Sequence, residues 1–365
     1  MSEAQKQAEG DGEKATGAPA RGVVRTGKPG GTIALTGVNT HLGSSLVALL
    51  ERERKWRKIV AIDLKNAPAA GPKTRFYKID LSQPAVDAQL AEILQAERVD
   101  TVVHGAFLSQ PTHATAWAHE LESVGTMHVL NACEEHGVSK LVLRSTTMLY
   151  GARPDNPLYL TEDHPLRGDE RWPFIGDKLD AERQVIAFAE RRPGTVVTVL
   201  RIAPTLGRGS QHYLTQTVLG QRVVPLILGY DPLVQLVHEL DVVAAFHAAI
   251  NEDHPGVFNV VAPGVLPLTS VLRLAGRLEA WVPYPVANVM LQVLSGTHLA
   301  RSSPAFLDYL KYPCVASGEK AAELLGFRAS YSTREALHDY LRAMRQQPND
   351  DGTPRGRTAP QRRSR

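Results

Sequence analysis

The sequence predicts a doubly wound α/β fold: a Rossmann-like parallel sheet with a smaller, interleaved C-terminal α/β lobe. Three observations predict it. From Gly31 onward, short runs of Val, Ile and Leu alternate with segments of helical period. Runs such as "KIVAID" and "TVVTVLRIA" are continuously apolar, the mark of strands buried on both faces. The chain has 365 residues, 43% hydrophobic and 22% charged, which is enough for one large or two modest domains with a substantial core.

The elements follow in order. "TIALT" reads as the first strand and "GSSLVALLERER" as the helix after it. "KIVAID" and "RFYKID" are the second and third strands, and "PAVDAQLAEILQAER" is an amphipathic helix. "VDTVVHGA" is the fourth strand. A helix from about Thr115 to His136 leads to "SKLVLRST", and one from about Gly176 to Glu190 leads to "TVVTVLRIA". After Ala203 the rhythm changes, with more Pro and Gly. "LVHELDVVAAFHAAI", "GVFNVVA" and "LTSVLRLAGRL" there add isolated strands and helices. The predicted division is therefore a head over 1–30, a dinucleotide-binding domain over 31–203, a mainly substrate-binding lobe over 204–344, and a tail over 345–365.

Head and tail lack apolar periodicity and are rich in Pro, Gly and charge, so both are predicted to be disordered. The tail holds six Arg against two Asp, which leaves the body close to neutral although the net charge is +3. No nucleic-acid-binding surface is expected on the folded part. No apolar run approaches the roughly 20 residues of a membrane span, and the head has no apolar core of a signal peptide. The two cysteines, Cys133 and Cys314, lie far apart in apolar stretches, which fits a reducing cytoplasm.

"LTGVNTHLGSSL" marks a phosphate-binding turn between the first strand and helix. Gly37 suits the tight turn and Gly43 suits close helix–strand packing, so the amides around Thr40, His41 and Leu42 would face a pyrophosphate. Thr40 stands where a glycine would let the backbone come closest, and its hydroxyl is expected to donate to phosphate instead. Asp63 ends the second strand about twenty residues on, where a carboxylate accepts from both ribose hydroxyls of NAD and repels the 2′-phosphate of NADP. Lys65 leaves room for NADP.

In order, "TGVNTHLG", "KIDLSQP", "VVHGA", "ESVGTMHVLNAC", "LVLRSTTMLYG", "VLRIAPTLG" and "LVHELDVVAAF" resemble segments of the extended short-chain dehydrogenase/reductases, specifically the NAD-dependent epimerase/dehydratase family. The resemblance spans Gly31 to Ala343. It implies that Asp80 and Leu81 flank the adenine and that His104, Gly105 and Ala106 lie along the dinucleotide. It also implies a tyrosine acid–base group, a lysine four residues on that binds the nicotinamide ribose, and a Ser/Thr that hydrogen-bonds the substrate oxygen. Carried over residue by residue, the Ser/Thr is Thr146, with Thr147 as its rival, and the lysine is Lys178. The tyrosine position in "RWPFIGDKLDAE" is Phe174, which has no hydroxyl. Glu122 stands where the family has Asn.

Asp177, His104, Tyr150 and His164 are the candidate replacements, each with a structural reading that is favoured. Two functions stay open: an NAD-dependent oxidoreductase or epimerase with atypical or weakened catalysis on a hydroxyl or carbonyl substrate, and a catalytically inactive dinucleotide-binding sensor. The resemblance also implies a homodimer through a four-helix bundle of the Thr115–His136 and Gly176–Glu190 helices. Val124, Met127, Leu130, Val185, Ile186 and Phe188 are the candidates to line it, or else face only the molecule's own sheet.

Overall fold

The computed structural model describes residues 31–209, 213, 215–297 and 303–346. The head, the tail from residue 347 and the disorder predicted for them lie outside the described residues.

Seven parallel strands form the central sheet. They are β1 (Gly31–Thr36), β2 (Trp56–Asp63), β3 (Thr74–Lys78), β4 (Thr101–His104), β5 (Lys140–Thr146), β6 (Val196–Ile202) and β7 (Gly256–Val260). Their spatial order is β7-β6-β5-β4-β1-β2-β3. Ile33 and Leu35 enter the core on one face while Ala34 enters it on the other, as the pleat requires. That double burial explains the continuous apolar runs.

Helix α1 (His41–Arg52) and helix α5 (Glu239–Asn251) cover one face. The other face is covered by α2 (Val86–Glu97), α3 and α4 (Pro173–Arg191). Helix α3 joins Thr115–His119 to Gly125–His136 through a π-helical turn, Glu120–Val124. The edge strand β7 and helix α5 come from beyond residue 203, so the lobe's sequence completes the sheet. The chain leaves β1 toward β2 and β3 on one side and later toward β4, β5 and β6 on the other. The switch point, where such folds bind ligands, is therefore the crevice between the carboxyl ends of β1 and β4.

The lobe is built on three small two-stranded pairings, among them Val223–Ile227 with Leu278–Val282. Its core joins Leu226, Phe306 and Leu337 to Met148 and Leu149 beyond β5 and to Trp172 and Phe174 at the start of α4. The lobe is thus anchored at the carboxyl edge of the sheet.

The helical faces assigned to a dimer need a correction. Leu130, Val185 and Phe188 are buried in the molecule's own core against Leu141, Val197 and Val199. Met127 is 41% exposed, and Val124 and Ile186 are half-buried. Helices packed on a sheet carry apolar residues inward whether or not they also pair outward, so periodicity could not separate the two faces. Both cysteines are free. Among the described residues no helix is long and apolar enough to cross a membrane.

Candidate active site

The turn after β1 is tightened by Gly37, whose φ of +74° suits glycine. A Cβ on Gly37 would lie 2.7 Å from the backbone of Gly105, so the turn and the end of β4 touch at the switch point. A Cβ on Gly43 would collide with the carbonyl oxygen of Gly37, which explains the second glycine. Thr40 is the N-cap of α1: its hydroxyl accepts from the Gly43 N–H at 3.0 Å and donates to the Gly37 carbonyl at 2.8 Å. The proton expected to serve a phosphate therefore holds the turn itself. Asp63 reaches back to the same turn, accepting from the Asn39 N–H at 3.0 Å.

His41 opens α1, and its Nε2 lies 2.9 Å from the carboxylate of Glu239 on α5. The Arg208 and Gly209 N–H groups also donate to Glu239. The hydrogen bond that His41 donates to Glu239 raises the His41 pKa, against burial. This ion pair closes α1 and α5 together above the turn.

His104 is fully engaged. Its ring nitrogens lie 2.8 Å from Thr36 Oγ1 and 3.0 Å from Thr126 Oγ1, and burial pushes its pKa down to about 3. Both ring nitrogens are thus occupied by hydroxyls at the end of β4. Gly105 donates its N–H to Thr36 Oγ1 at 3.2 Å, and Ala106 packs against the core beside it. Asp80 accepts from the N–H and hydroxyl of Ser82, and Leu81 is buried under α2 and α3.

One cavity connects the two halves of the predicted site. Thr40, His41 and Leu42 line one part of it, and Thr146, Phe174 and Lys178 line another. Thr146 accepts from the Met148 N–H at 3.3 Å, while Thr147 lines a neighbouring cavity in the lobe. Alternation at the end of β5 thus separates the two threonines.

The group that residue-by-residue reasoning left without a role is Glu122. Both of its carboxylate oxygens lie 2.8 Å from Lys178 Nζ, and the Leu108 N–H donates to it at 2.5 Å. Glu122 is 1% exposed. It sits in the π turn of α3, an irregularity common at functional positions. Burial pushes its carboxyl pKa up and that of the Lys178 ammonium down, each against the attraction of the other. Lys178 Nζ also lies 3.8 Å from the centroid of the Phe174 ring, a cation–π contact. Phe174 is itself held by Trp172 and Tyr213, with ring centroids 5.4 and 6.0 Å away. Phenylalanine, lysine and glutamate therefore form one buried unit, with Arg144 nearby donating to the Phe107 carbonyl and to Ser109 Oγ.

None of the four proposed replacements lines this cavity. Asp177 pairs with His119 at 2.8 Å. His164 contacts Arg167. Tyr150 donates to Asn259 Oδ1 and accepts from Arg201, each at 2.8 Å, and burial pushes its pKa up to about 12. Arg201 in turn is held by Glu182. This network braces β5, β6 and β7 beneath the site.

These residues fit a dinucleotide. The first turn of α1 leaves amides that no preceding carbonyl can reach, Asp63 stands at the adjoining strand end, and the cavity runs on to Thr146 and Lys178.

Comparison with known proteins agrees with the geometry. A relative of Mycobacterium tuberculosis (strain ATCC 25618 / H37Rv), an uncharacterized protein, is 31% identical over 317 residues, covering 85% of this chain and 83% of its own. UDP-glucose 4-epimerase 2 of Oryza sativa subsp. japonica is 27% identical over 235 residues, covering 56% of each. Among solved structures, MoeE5 in complex with UDP-glucuronic acid and NAD superimposes with a TM-score of 0.66 at 22% identity, over 86% of this chain and 99% of that one. A tyrosine-to-phenylalanine mutant of Bacillus cereus UDP-glucuronic acid 4-epimerase, in complex with NAD and a fluorinated UDP-sugar, gives 0.65 at 17% identity, over 86% and 99%. The model of the NAD dependent epimerase/dehydratase family matches residues 33–261. With that match laid over the sheet, the glycine turn and the Thr146–Lys178 cavity, the chain belongs to the NAD dependent epimerase/dehydratase family.

Proposed function

We propose that this protein is an NAD-dependent enzyme that oxidises, reduces or epimerises a hydroxyl- or carbonyl-bearing carbon of a small molecule, moving the proton through Lys178 and Glu122. The observation that carries the proposal is the single cavity shared by the first turn of α1 and by Thr146, Phe174 and Lys178. When bound, NAD supplies the hydride acceptor or donor. Asp63 holds the adenosine ribose and disfavours the 2′-phosphate of NADP. The Thr146 hydroxyl fixes the substrate oxygen.

Phe174 cannot move a proton, and general acid–base catalysis contributes about 10²–10⁴-fold. Lys178 and Glu122 are the proton-carrying groups in contact at that ring. In the neutral pairing, with Lys178 an amine and Glu122 an acid, the amine takes the proton of a substrate hydroxyl as hydride leaves carbon. Reduction runs the same transfer backward. The opposed pKa shifts of the pair support this sharing.

Calorimetry tests the cofactor. NAD is expected to bind at least tenfold more tightly than NADP, and Asp63→Ala is expected to shrink that ratio to within about threefold, a loss of roughly 1 kcal/mol of discrimination. No heat from either dinucleotide would contradict the proposal.

A second reading, a dinucleotide sensor without turnover, draws on one observation. Lys178 is already satisfied by Glu122, so the site is stable without a tyrosine hydroxyl or a substrate. The protein is further proposed to be cytoplasmic and to pair through α3 and α4 over Val124, Met127 and Ile186. Sedimentation velocity is expected to give the dimer mass; a monomer throughout a concentration series would refute the pairing.

A further inference from the structure

We infer that the molecule taken up beside Thr146 and Lys178 is an uncharged hydroxyl or carbonyl compound with an apolar body, not a nucleotide sugar. The inference rests on the proposed function and narrows its substrate class.

A diphosphate ester needs cations or an array of donors, because charge-assisted contacts must replace the water it gives up. On the lobe side of Met148, a cavity is lined by Tyr213, Leu233, Phe306, Tyr309 and Tyr312, and no charged residue is among its described lining residues. Two of its polar atoms are engaged inward: the Tyr309 hydroxyl donates to the Met148 carbonyl at 2.6 Å and Cys314 Sγ to the Thr147 carbonyl at 3.3 Å. Tyr213 and Phe306 meet edge to face at 4.7 Å, giving an aromatic wall.

Beyond Phe174 lies a second cavity of about 310 Å³. No Lys or Arg is among its described lining residues; its polar groups are His113, Glu122 and the hydroxyls of Thr112, Thr115, Ser295 and Ser303, set among Trp172, Phe174 and three prolines. Of the nearby cations, Lys178 is bound to Glu122, and Arg144, which donates to the neutral Phe107 carbonyl and Ser109 Oγ, lines the first cavity and neither of these two. Arg222, just before the strand Val223–Ile227, is exposed and lines neither cavity.

The approach to the site is apolar as well. The lobe helix Tyr284–Gly296 carries no charged residue, and Val286, Val289, Met290 and Val293 are 56%, 59%, 44% and 59% exposed along one stripe. Ser295, at the end of that helix, lines the second cavity together with Glu122 and Phe174. The helix that carries this stripe thus ends at the cavity shared by Phe174 and Glu122.

The test titrates the full chain, saturated with NAD, with dodecan-2-ol, cholesterol and UDP-glucose, following tryptophan fluorescence for binding and NADH absorbance for turnover. At least one apolar alcohol is expected to bind saturably and at least tenfold more tightly than UDP-glucose. Leu233→Arg is expected to weaken that binding at least tenfold and leave NAD affinity within twofold. Should Leu233→Arg disturb folding, Leu233→Gln gives the same comparison with a milder change. Tighter binding of UDP-glucose, or saturable binding of none of the three while NAD binds, would overturn the inference. If NAD itself does not bind, the functional proposal fails instead, and the same tenfold criterion applied without cofactor still decides the ligand class.

Discussion

Replacing Glu122 with Gln is expected to destabilise the protein by about 3 kcal/mol near neutral pH and to make its stability rise as the pH is raised toward about 10. Lys178 is buried, with Glu122 as its counter-charge at 2.8 Å to both oxygens. Removing one partner of a buried pair costs about 3–5 kcal/mol because the other charge is left uncompensated. Gln keeps the shape and can still accept a hydrogen bond, which places the loss at the lower end. In the native protein burial already lowers the Lys178 pKa, and without Glu122 it falls further. A lysine whose folded pKa lies below its unfolded one penalises folding fully at pH values under the folded pKa. The penalty fades as the pH rises between the two and vanishes above the unfolded one. Urea melts of both proteins across that range measure the difference. A constant difference at every pH would mean that Lys178 is not the group left exposed by the change.

Phe174→Tyr is expected to raise turnover at least tenfold on any substrate that the native protein processes, within the ~10²–10⁴-fold that positioned acid–base groups supply. The ring already lies 3.8 Å from Lys178 Nζ and lines the site cavity, so a phenolic oxygen there would have the lysine beside it. An unchanged rate would mean that Lys178 and Glu122 already move the proton as fast as hydride leaves carbon. For a sensor, the exchange would create activity where the native protein has none.

The succession of strands and helices was readable because a doubly covered sheet leaves continuous apolar runs such as "KIVAID", and the turn after the first strand because two glycines bracket it. The packing reason for each glycine, Gly105 against Gly37 and the Gly37 carbonyl against Gly43, needs the fold. Thr40 was expected to donate to a ligand, yet a Thr three residues before a helical amide is also an N-cap, and that local bond prevailed. His104 and Tyr150, weighed as replacement acids with a structural reading favoured, are held by Thr126, Arg201 and Asn259, partners that the fold brings to them. The partnership of Glu122 with Lys178 joins residues 56 apart in sequence, and no periodicity reports it. What the sequence did carry was a carboxylate in place of the family's Asn, within the apolar stretch "ESVGTMHVLNAC". An acid there calls for a buried cation.

In the proposed function, the cavity lined by the first turn of α1, Thr146 and Lys178 takes the dinucleotide, and Lys178, backed by Glu122, carries the proton at its wall. A structure of the protein with NAD tests it most directly. The account predicts the adenosine ribose against Asp63, the pyrophosphate at the first turn of α1, and the nicotinamide ring beside Thr146 and Lys178 with Glu122 still bound to the lysine. A nicotinamide ring excluded from that place, with Phe174 and the Lys178–Glu122 pair filling it, would contradict the account.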